Sequence, residues 1–317
     1  MSNISKVLVT GAHGFVGTAL CRDLHRRGVE VNAAVRRNAK SGEFVVEDIA
    51  SHTDWLLPLQ GCETVIHLAA RVHVLTDRAV EPLEAFRSVN VQGTLNLARQ
   101  AAASGIRRFV FVSSIGVNGV ETYDVPFSEN TIPAPHSPYA LSKYEAEAEL
   151  MKLASKTGIE VVVVRPPLVY GPNAPGNFGT LMRWLLRGVP LPLGAIGNQR
   201  SYVSLANLVD LIVTCAGHPA AANQLFLVSD GEDLSTTGLL RRLAQALGKP
   251  ARLVPVPVEV LKFAASVVGK PELAQRLCGN LQVDISKARS LLGWKPPLPV
   301  DEGLQSAANG YPHETNF

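Results

Sequence analysis

A tyrosine and a lysine four residues apart, in Tyr139-Ala-Leu-Ser-Lys143, are the side chains of this chain best suited to moving a proton. A serine pair, Ser113-Ser114, closes the apolar run ahead of them. Ser137 and Pro138 predict a helix start, a capping side chain followed by a first-turn proline. Tyr139 and Lys143 then share one helical face. A free phenol ionises near pH ~10, too high for ready ionisation at neutral pH. A neighbouring ammonium is expected to lower that value. Tyr139 can then act as general acid/base toward an alcohol oxygen, while Ser114 hydrogen-bonds the same oxygen as charge develops on it. Alone, a Tyr-x-x-x-Lys is a common accident of helices.

The second constellation gives the first its meaning. Val7-Leu-Val-Thr-Gly-Ala-His-Gly-Phe-Val-Gly17 reads as a strand, a tight turn with Gly11, Gly14 and Gly17, and a helix N-terminus. Glycine permits a positive φ, and missing Cβ atoms let phosphate oxygens reach backbone N–H groups, so the turn suits a pyrophosphate. The G-x-x-G-x-x-G spacing differs from the usual G-x-G-x-x-G of dinucleotide folds, and such turns also serve plain packing. With a dinucleotide here, a positive nicotinamide ring would add to the ammonium in lowering the Tyr139 pKa.

The end of the second strand, where a dinucleotide's adenine ribose lies, holds Arg36-Arg37 and no carboxylate. Guanidinium groups bind a 2′-phosphate that a carboxylate would repel, so NADP is favoured and NAD remains possible. The other reading is a solvated charged turn. Asp48-Ile49, after a third strand candidate at Phe44–Val46, fits either the adenine amino group or a helix N-cap. His67-Leu-Ala-Ala70 ends the fourth strand in small residues past which a cofactor can run, and His67 itself reads as a packed core histidine.

These residues need a scaffold that brings strand ends together. Strand candidates at Lys6–Thr10, Val29–Val35, Thr64–Leu68, Arg108–Ser113, Glu160–Arg165 and Gln224–Val228 alternate with helical patterns near Phe15–Arg27, Leu83–Ser104 and Pro138–Thr157. The expected fold is α/β, a doubly wound parallel (Rossmann-like) sheet. After Tyr170 the chain becomes loop-rich and then breaks into short helices. This predicts a dinucleotide-binding domain over 1–170, to which 201–230 returns. A smaller, discontinuous, mostly helical substrate lobe is expected over 171–200 and 231–317.

Bulk composition excludes several classes. The 317 residues are 46% hydrophobic and 18% charged, with a formal net charge of +3 and no basic block, which gives no case for nucleic acid. Cys21, Cys62, Cys215 and Cys278 are scattered, as in a reducing compartment, and form neither a disulfide frame nor a zinc site. The longest apolar stretch, Val254–Val268, is broken by prolines, Glu259 and Lys262, and is read as lobe core, not as a membrane segment. The start of the chain enters a strand at once and shows no signal peptide, so a cytoplasmic protein is expected.

Thr10-Gly-Ala-His-Gly-Phe-Val-Gly17, His67-Leu-Ala-Ala70, Asn90-Val-Gln-Gly-Thr94, Ser113-Ser114, Tyr139-x-x-x-Lys143, Arg165-Pro-Pro-Leu-Val-Tyr-Gly-Pro172 and Leu292-Gly-Trp-Lys-Pro296 together resemble the extended short-chain dehydrogenase/reductase family, in its nucleotide-sugar epimerase, dehydratase and reductase branch. The resemblance spans about residues 5–305. It implies Ser114, Tyr139 and Lys143 as catalytic residues. The implied cofactor contacts are Gly11, His13, Gly14, Phe15, Val16, Arg36, Arg37, Asp48 and Ile49, continuing through Leu68, Ala69, Ala70, Asn90 and Ser113 to Tyr139, Lys143, Pro166 and Val169. It also implies that helices 83–104 and 138–157 pair across a homodimer; the other reading is plain surface helices.

Within that branch Asn177 and Arg200 match residues that hold a diphosphate, and Leu191-Pro-Leu-Gly194, with Leu191 and Leu193, resembles the segment whose backbone lines the uracil. Ser204-Leu-Ala-Asn-Leu208 departs from the relatives' His-Val-Asp-Asp. Ile115-Gly-Val-Asn118 follows Ser114 without the acidic pair of sugar dehydratases, which argues against dehydration. The resulting expectation is an NADPH-dependent reductase of a UDP-linked 4-keto sugar, a 4-keto-6-deoxy-N-acetylhexosamine of bacterial surface-polysaccharide (lipopolysaccharide) synthesis. The alternatives are an NAD-dependent UDP-hexose or UDP-N-acetylhexosamine 4-epimerase, a reductase of hydrophobic ketones and a non-catalytic NADP-binding regulator.

Overall fold

A computed structural model describes residues 4–72 and 82–311 of the chain, and every count and absence below concerns those residues. The strands are β1 (Lys6–Thr10), β2 (Glu30–Val35), β3 (Glu43–Val45), β4 (Thr64–His67), β5 (Arg108–Val112), β6 (Glu160–Arg165), β7 (Leu168–Tyr170), β8 (Arg200–Ser204), β9 (Leu225–Leu227) and β10 (Asp233–Leu234). The helices are α1 (Phe15–Arg26), α2 (Leu56–Leu59), α3 (Pro82–Arg87), α4 (Thr94–Ala103), α5 (Pro138–Thr157) and α6 (Gly176–Leu186), then α7 (Leu205–Gly217), α8 (Thr236–Ala246), α9 (Val258–Val267), α10 (Pro271–Cys278), α11 (Ser286–Leu292) and α12 (Val300–Asn309).

Seven strands form one parallel sheet in the order β3-β2-β1-β4-β5-β6-β9. Alternation along each strand sorts its side chains to opposite faces. Val7, Val9, Ile66, Val110, Val162 and Val164 pack on one side with residues of α1 and α7. Leu8, Val65, Phe109, Phe111, Val161 and Val163 pack on the other with residues of α4 and α5. Both faces are therefore dry, as a parallel sheet requires. The chain reverses its direction of winding between β1 and β4, the place where such sheets bind ligands at their carboxyl ends.

The helix expected over 83–104 is one run in which a π-helical stretch, Ser88–Gly93, separates α3 from α4. β7, β8 and β10 form a small second sheet that the sequence did not suggest. A third core joins Tyr170, Phe178 and Met182 to Leu239, Leu243, Val300 and Leu304. Ser204 caps α7 by accepting the Asn207 amide, and Asn207 Nδ2 donates to Asp230 at 2.7 Å and to the Leu298 carbonyl at 2.9 Å. The departure at Ser204–Leu208 thus lies in structural residues. The tail motif is structural as well, with Trp294 Nε1 donating to Asp210 at 2.9 Å. No helix is long and apolar enough to cross a membrane.

Candidate active site

The glycine turn is built as its sequence requires. Gly11 has φ +70°, and a Cβ there would lie 3.0 Å from the Ala69 nitrogen, so the turn closes directly on the Leu68-Ala69-Ala70 segment after β4. A Cβ on Gly17 would stand 2.1 Å from the Gly11 carbonyl oxygen, which glycine alone avoids. Gly14 caps α1 without a side-chain hydrogen bond, which leaves first-turn amides of a 12-residue helix free for an anion. Phe15 and Val16 open that helix, and the Phe15 ring reaches the Gly171 turn. A glycine cradle, an uncapped helix start and a buried Ser113 Oγ with no hydrogen-bond partner among the described residues all fit a bound dinucleotide.

His67 is fully buried, its Nδ1 2.7 Å from Thr10 Oγ1 and its Nε2 2.9 Å from Thr94 Oγ1. Burial, with the Lys143 charge second, pushes its pKa down to about 3, and it is a core histidine as the sequence suggested. Asn90, inside the π-helical stretch, also spends its side chain on the protein. Its carboxamide oxygen accepts the Arg71 amide at 2.8 Å, and its Nδ2 donates to the Arg71 carbonyl and to Ser142 Oγ, each at 3.0 Å. It fastens the loop after β4 to α5 beside Lys143.

Ser137 caps α5 and Pro138 starts it. Lys143 is buried, and its Nζ donates to the Val112 carbonyl at 2.8 Å and lies 4.3 Å from the Phe111 ring centre. The lysine therefore holds the end of β5, immediately ahead of Ser113-Ser114. Burial pushes its pKa down to about 7. The Lys143 ammonium alone does not lower the Tyr139 pKa. Burial pushes its phenol up to about 12, and the Lys143 ammonium is turned to Val112. Tyr139 packs edge-on against Phe86, with ring centres 6.2 Å apart. Ser114 Oγ accepts the Gly116 amide at 3.1 Å. The bare Gly116 lies between Ser114 Oγ and Ala140 Cβ, so the first turn of α5 closes on the serine turn. Pro166 accepts the Ile115 amide at 3.0 Å, and Val169 follows in β7.

At the ribose end Arg36 and Arg37 are exposed, with no carboxylate in ion-pair reach among the described residues. The sequence reading missed a carboxylate that belongs to the next strand. Glu43 begins β3, opposite Ala33 of β2, and its side chain meets His13 Nε2 of the glycine turn at 3.0 Å. The signal was Glu43 immediately ahead of the third strand candidate. Asp48 lines a cavity of about 300 Å³ with Val45, Val46, His52 and Thr53. It is not a helix cap, since α2 starts only at Leu56. Ile49 packs on Gly93 so closely that a Cβ there would meet its side chain at 2.7 Å.

The candidate substrate residues divide. Asn177 is not in a loop but in the first turn of α6, exposed, and the helix has no side-chain cap. Arg200 opens β8, donates to the Gly279 carbonyl at 2.9 Å and has no carboxylate in ion-pair reach among the described residues. Burial pushes its pKa down, but a guanidinium stays charged at neutral pH. Leu191 and Leu193 turn their side chains into the lobe core, which leaves only backbone for the contact the resemblance implies. Their backbone is also engaged, Leu191 N with the Arg252 carbonyl at 2.9 Å and the Leu193 carbonyl with Thr237 Oγ1 at 2.6 Å.

Comparison with known proteins agrees with this geometry. The model of the NAD-dependent epimerase/dehydratase family matches residues 7–228. The UDP-glucose 4-epimerase of Vibrio cholerae is 48% identical over 316 residues, 98% of this chain and 96% of that one. The solved UDP-glucose 4-epimerase of Thermus thermophilus in complex with NAD superposes with a TM-score of 0.75 at 25% identity, over 96% of this chain and 98% of that one. The Thermotoga maritima UDP-glucose 4-epimerase with UDP-glucose shares the fold at a TM-score of 0.78 and 24% identity, over 96% and 98% of the two chains.

Proposed function

The chain belongs to the NAD-dependent epimerase/dehydratase family, and within it we propose a nucleotide-sugar 4-epimerase acting on a UDP-hexose with NAD retained through the cycle. The end-to-end match to the Vibrio cholerae UDP-glucose 4-epimerase carries this reading. The Glu43 carboxylate beside His13 supports it, because it stands against the glycine turn where a 2′-phosphate would be repelled. The NADPH-dependent 4-keto-sugar reductase expected from Arg36-Arg37 rested on there being no such carboxylate, and it becomes the second reading, favoured only by those two free guanidinium groups.

NAD, when bound, supplies a reversible hydride acceptor. Gly11, Gly14 and the first amides of α1 hold its pyrophosphate, and Lys143 its nicotinamide ribose. Tyr139 takes the proton of the sugar hydroxyl and returns it when the carbon is reduced again. Ser114 hydrogen-bonds that oxygen. Arg200 and the free first-turn amides of α6, with Asn177, anchor the diphosphate. We assign cofactor binding to 1–170 with 201–230, and substrate binding to 171–200 and 231–317. The helices over 83–104 and 138–157 are the proposed homodimer face, with Tyr144 and Met151 of α5 partly exposed on it.

The experiment is to denature the purified protein, identify any released nicotinamide dinucleotide, and incubate the native protein with UDP-glucose and UDP-N-acetylglucosamine without added cofactor. Released NAD and formation of the 4-epimer are expected. A protein that releases none, leaves both sugars unchanged and oxidises NADPH with a UDP-4-keto-6-deoxy sugar would be the reductase.

A further inference from the structure

The Val254–Val268 stretch, expected to be lobe core, is largely exposed. No residue of α9 is buried. One stripe, with Val258 and Leu261, rests half-buried on the lobe core. The opposite stripe, Val260, Phe263, Ala264 and Val267, has i, i+3, i+4, i+7 spacing and faces solvent, with Phe263 71% and Val267 69% exposed. Val268 and Leu273 extend it into α10, which packs beside α9. A helix apolar on both faces belongs in a dry environment, and a contiguous apolar patch rimmed by charge marks an interaction surface.

The charge of this segment bears on what covers it. On the α9–α10 hairpin Lys262, Lys270 and Arg276 outnumber Glu259 and Glu272, and with Lys249 and Arg252 just ahead of it residues 249–276 carry a net +3, equal to the formal charge of the whole chain. The rest of the molecule is neutral by comparison, so its positive charge is gathered here. Arg276 pairs with Glu272 at 3.7 Å; the other four have no carboxylate in ion-pair reach among the described residues. A second copy meeting this face by two-fold symmetry would set the unpaired Lys262 and Lys270 of one copy against those of the other. An anionic surface that also accepts apolar side chains matches both features. We propose that the α9–α10 hairpin is a docking face for an anionic lipid bilayer, lying in its interface with Phe263 and Val267 inserted and Lys262 and Lys270 reaching to the headgroups. The hairpin ends at the substrate lobe's polar floor: Gly279 accepts from Arg200, and Leu277 accepts from Asn198 and Thr236. Docking to a bilayer goes beyond the epimerase reading and does not depend on it.

The test is co-sedimentation of the full chain with vesicles of phosphatidylcholine alone or mixed with phosphatidylglycerol. Binding to the anionic vesicles is expected to exceed that to neutral ones by on the order of tenfold or more, and to weaken with salt. The pairs Phe263→Asp/Val267→Asp and Lys262→Glu/Lys270→Glu should each lose that binding while keeping the wild-type circular dichroism spectrum. Failure of the wild type to sediment with anionic vesicles would overturn the proposal. So would equal binding to both vesicle types, or a change from dimer to monomer in the Phe263→Asp/Val267→Asp protein on gel filtration, which would assign the face to a second copy.

Discussion

The imidazole of His13 and the carboxylate of Glu43 stand 3.0 Å apart and join the glycine turn to the start of β3. The Lys40 amide donates to the same carboxylate at 2.7 Å and is the main reason its pKa lies below the usual carboxylate range. Glu43 is therefore an anion at neutral pH on the strand next to the one that Arg36-Arg37 follow, and the proposed function sets this carboxylate against those guanidinium groups in cofactor choice.

That contest can be measured. A unit charge about 4 Å from another is worth on the order of 1–4 kcal/mol near a protein surface. Glu43→Gln is expected to shift the ratio of NADPH to NADH affinity toward NADPH by on the order of tenfold. Replacing Arg36 and Arg37 by serine should move it the other way. Calorimetric titration of both dinucleotides into both proteins gives the ratios, and equal losses for the two cofactors would remove Glu43 and the arginines from cofactor selection.

Tyr139 is held neutral by burial, its pKa pushed up to about 12, while Lys143 donates to Val112. On the proposed function, phenolate chemistry at neutral pH would require positive charge brought by the dinucleotide. Tyr139→Phe is expected to lower kcat by about 10²–10⁴ with NAD still retained. Difference absorbance of tyrosinate between wild type and Tyr139→Phe should show ionisation at lower pH in the NAD-loaded protein than in protein stripped of it. The same titration curve in both would leave the activation of Tyr139 unexplained.

What was legible in the sequence was local. α5 and β6 fall on Pro138–Thr157 and Glu160–Arg165, the predicted bounds, because a cap, a first-turn proline and an unbroken valine run specify them within a few residues. Gly11 and Gly17 announced a close approach that the structure locates at Ala69 and Gly11. What escaped depends on neighbours far along the chain. Glu43 reaches the turn only because β3 pairs with β2, and Leu191 and Leu193 became core once the 252–254 segment paired with them. Whether the apolar stripe of α9 is covered is a tertiary fact, invisible to periodicity. The Tyr139 pKa turned on how deeply its phenol is buried, which i, i+4 spacing leaves undetermined.

His67 makes part of the stability acid-sensitive. Its imidazole titrates near 6.5 in an unfolded chain and at about 3 in the fold. Between those values the unfolded state carries the extra proton, so stability falls as pH drops from 6.5 toward 3, by up to ~1.4 kcal/mol per pH unit from this group. His67→Gln keeps partners for Thr10 and Thr94 and should flatten that dependence. Urea unfolding of both proteins across this window isolates the histidine, since other groups contribute equally to each. Parallel curves would show that His67 is not held neutral.

Glu147 lies one turn beyond Lys143 on α5 and is bound by Arg165, whose Nε donates at 3.0 Å and whose Nη1 donates to Asn118 Oδ1 at 2.9 Å. Both charged side chains are nearly inaccessible, so removing one strands the other in a dry interior. Arg165→Met is expected to cost about 3–5 kcal/mol, and adding Glu147→Leu should recover much of it. Glu147 is also the one charge that raises the Lys143 pKa against burial. Glu147→Gln should therefore let Lys143 lose its proton at lower pH, moving the alkaline fall of kcat/KM toward acid. Urea midpoints for the three variants, with the pH profile of Glu147→Gln, separate the stabilising part of this pair from its electrostatic hold on Lys143.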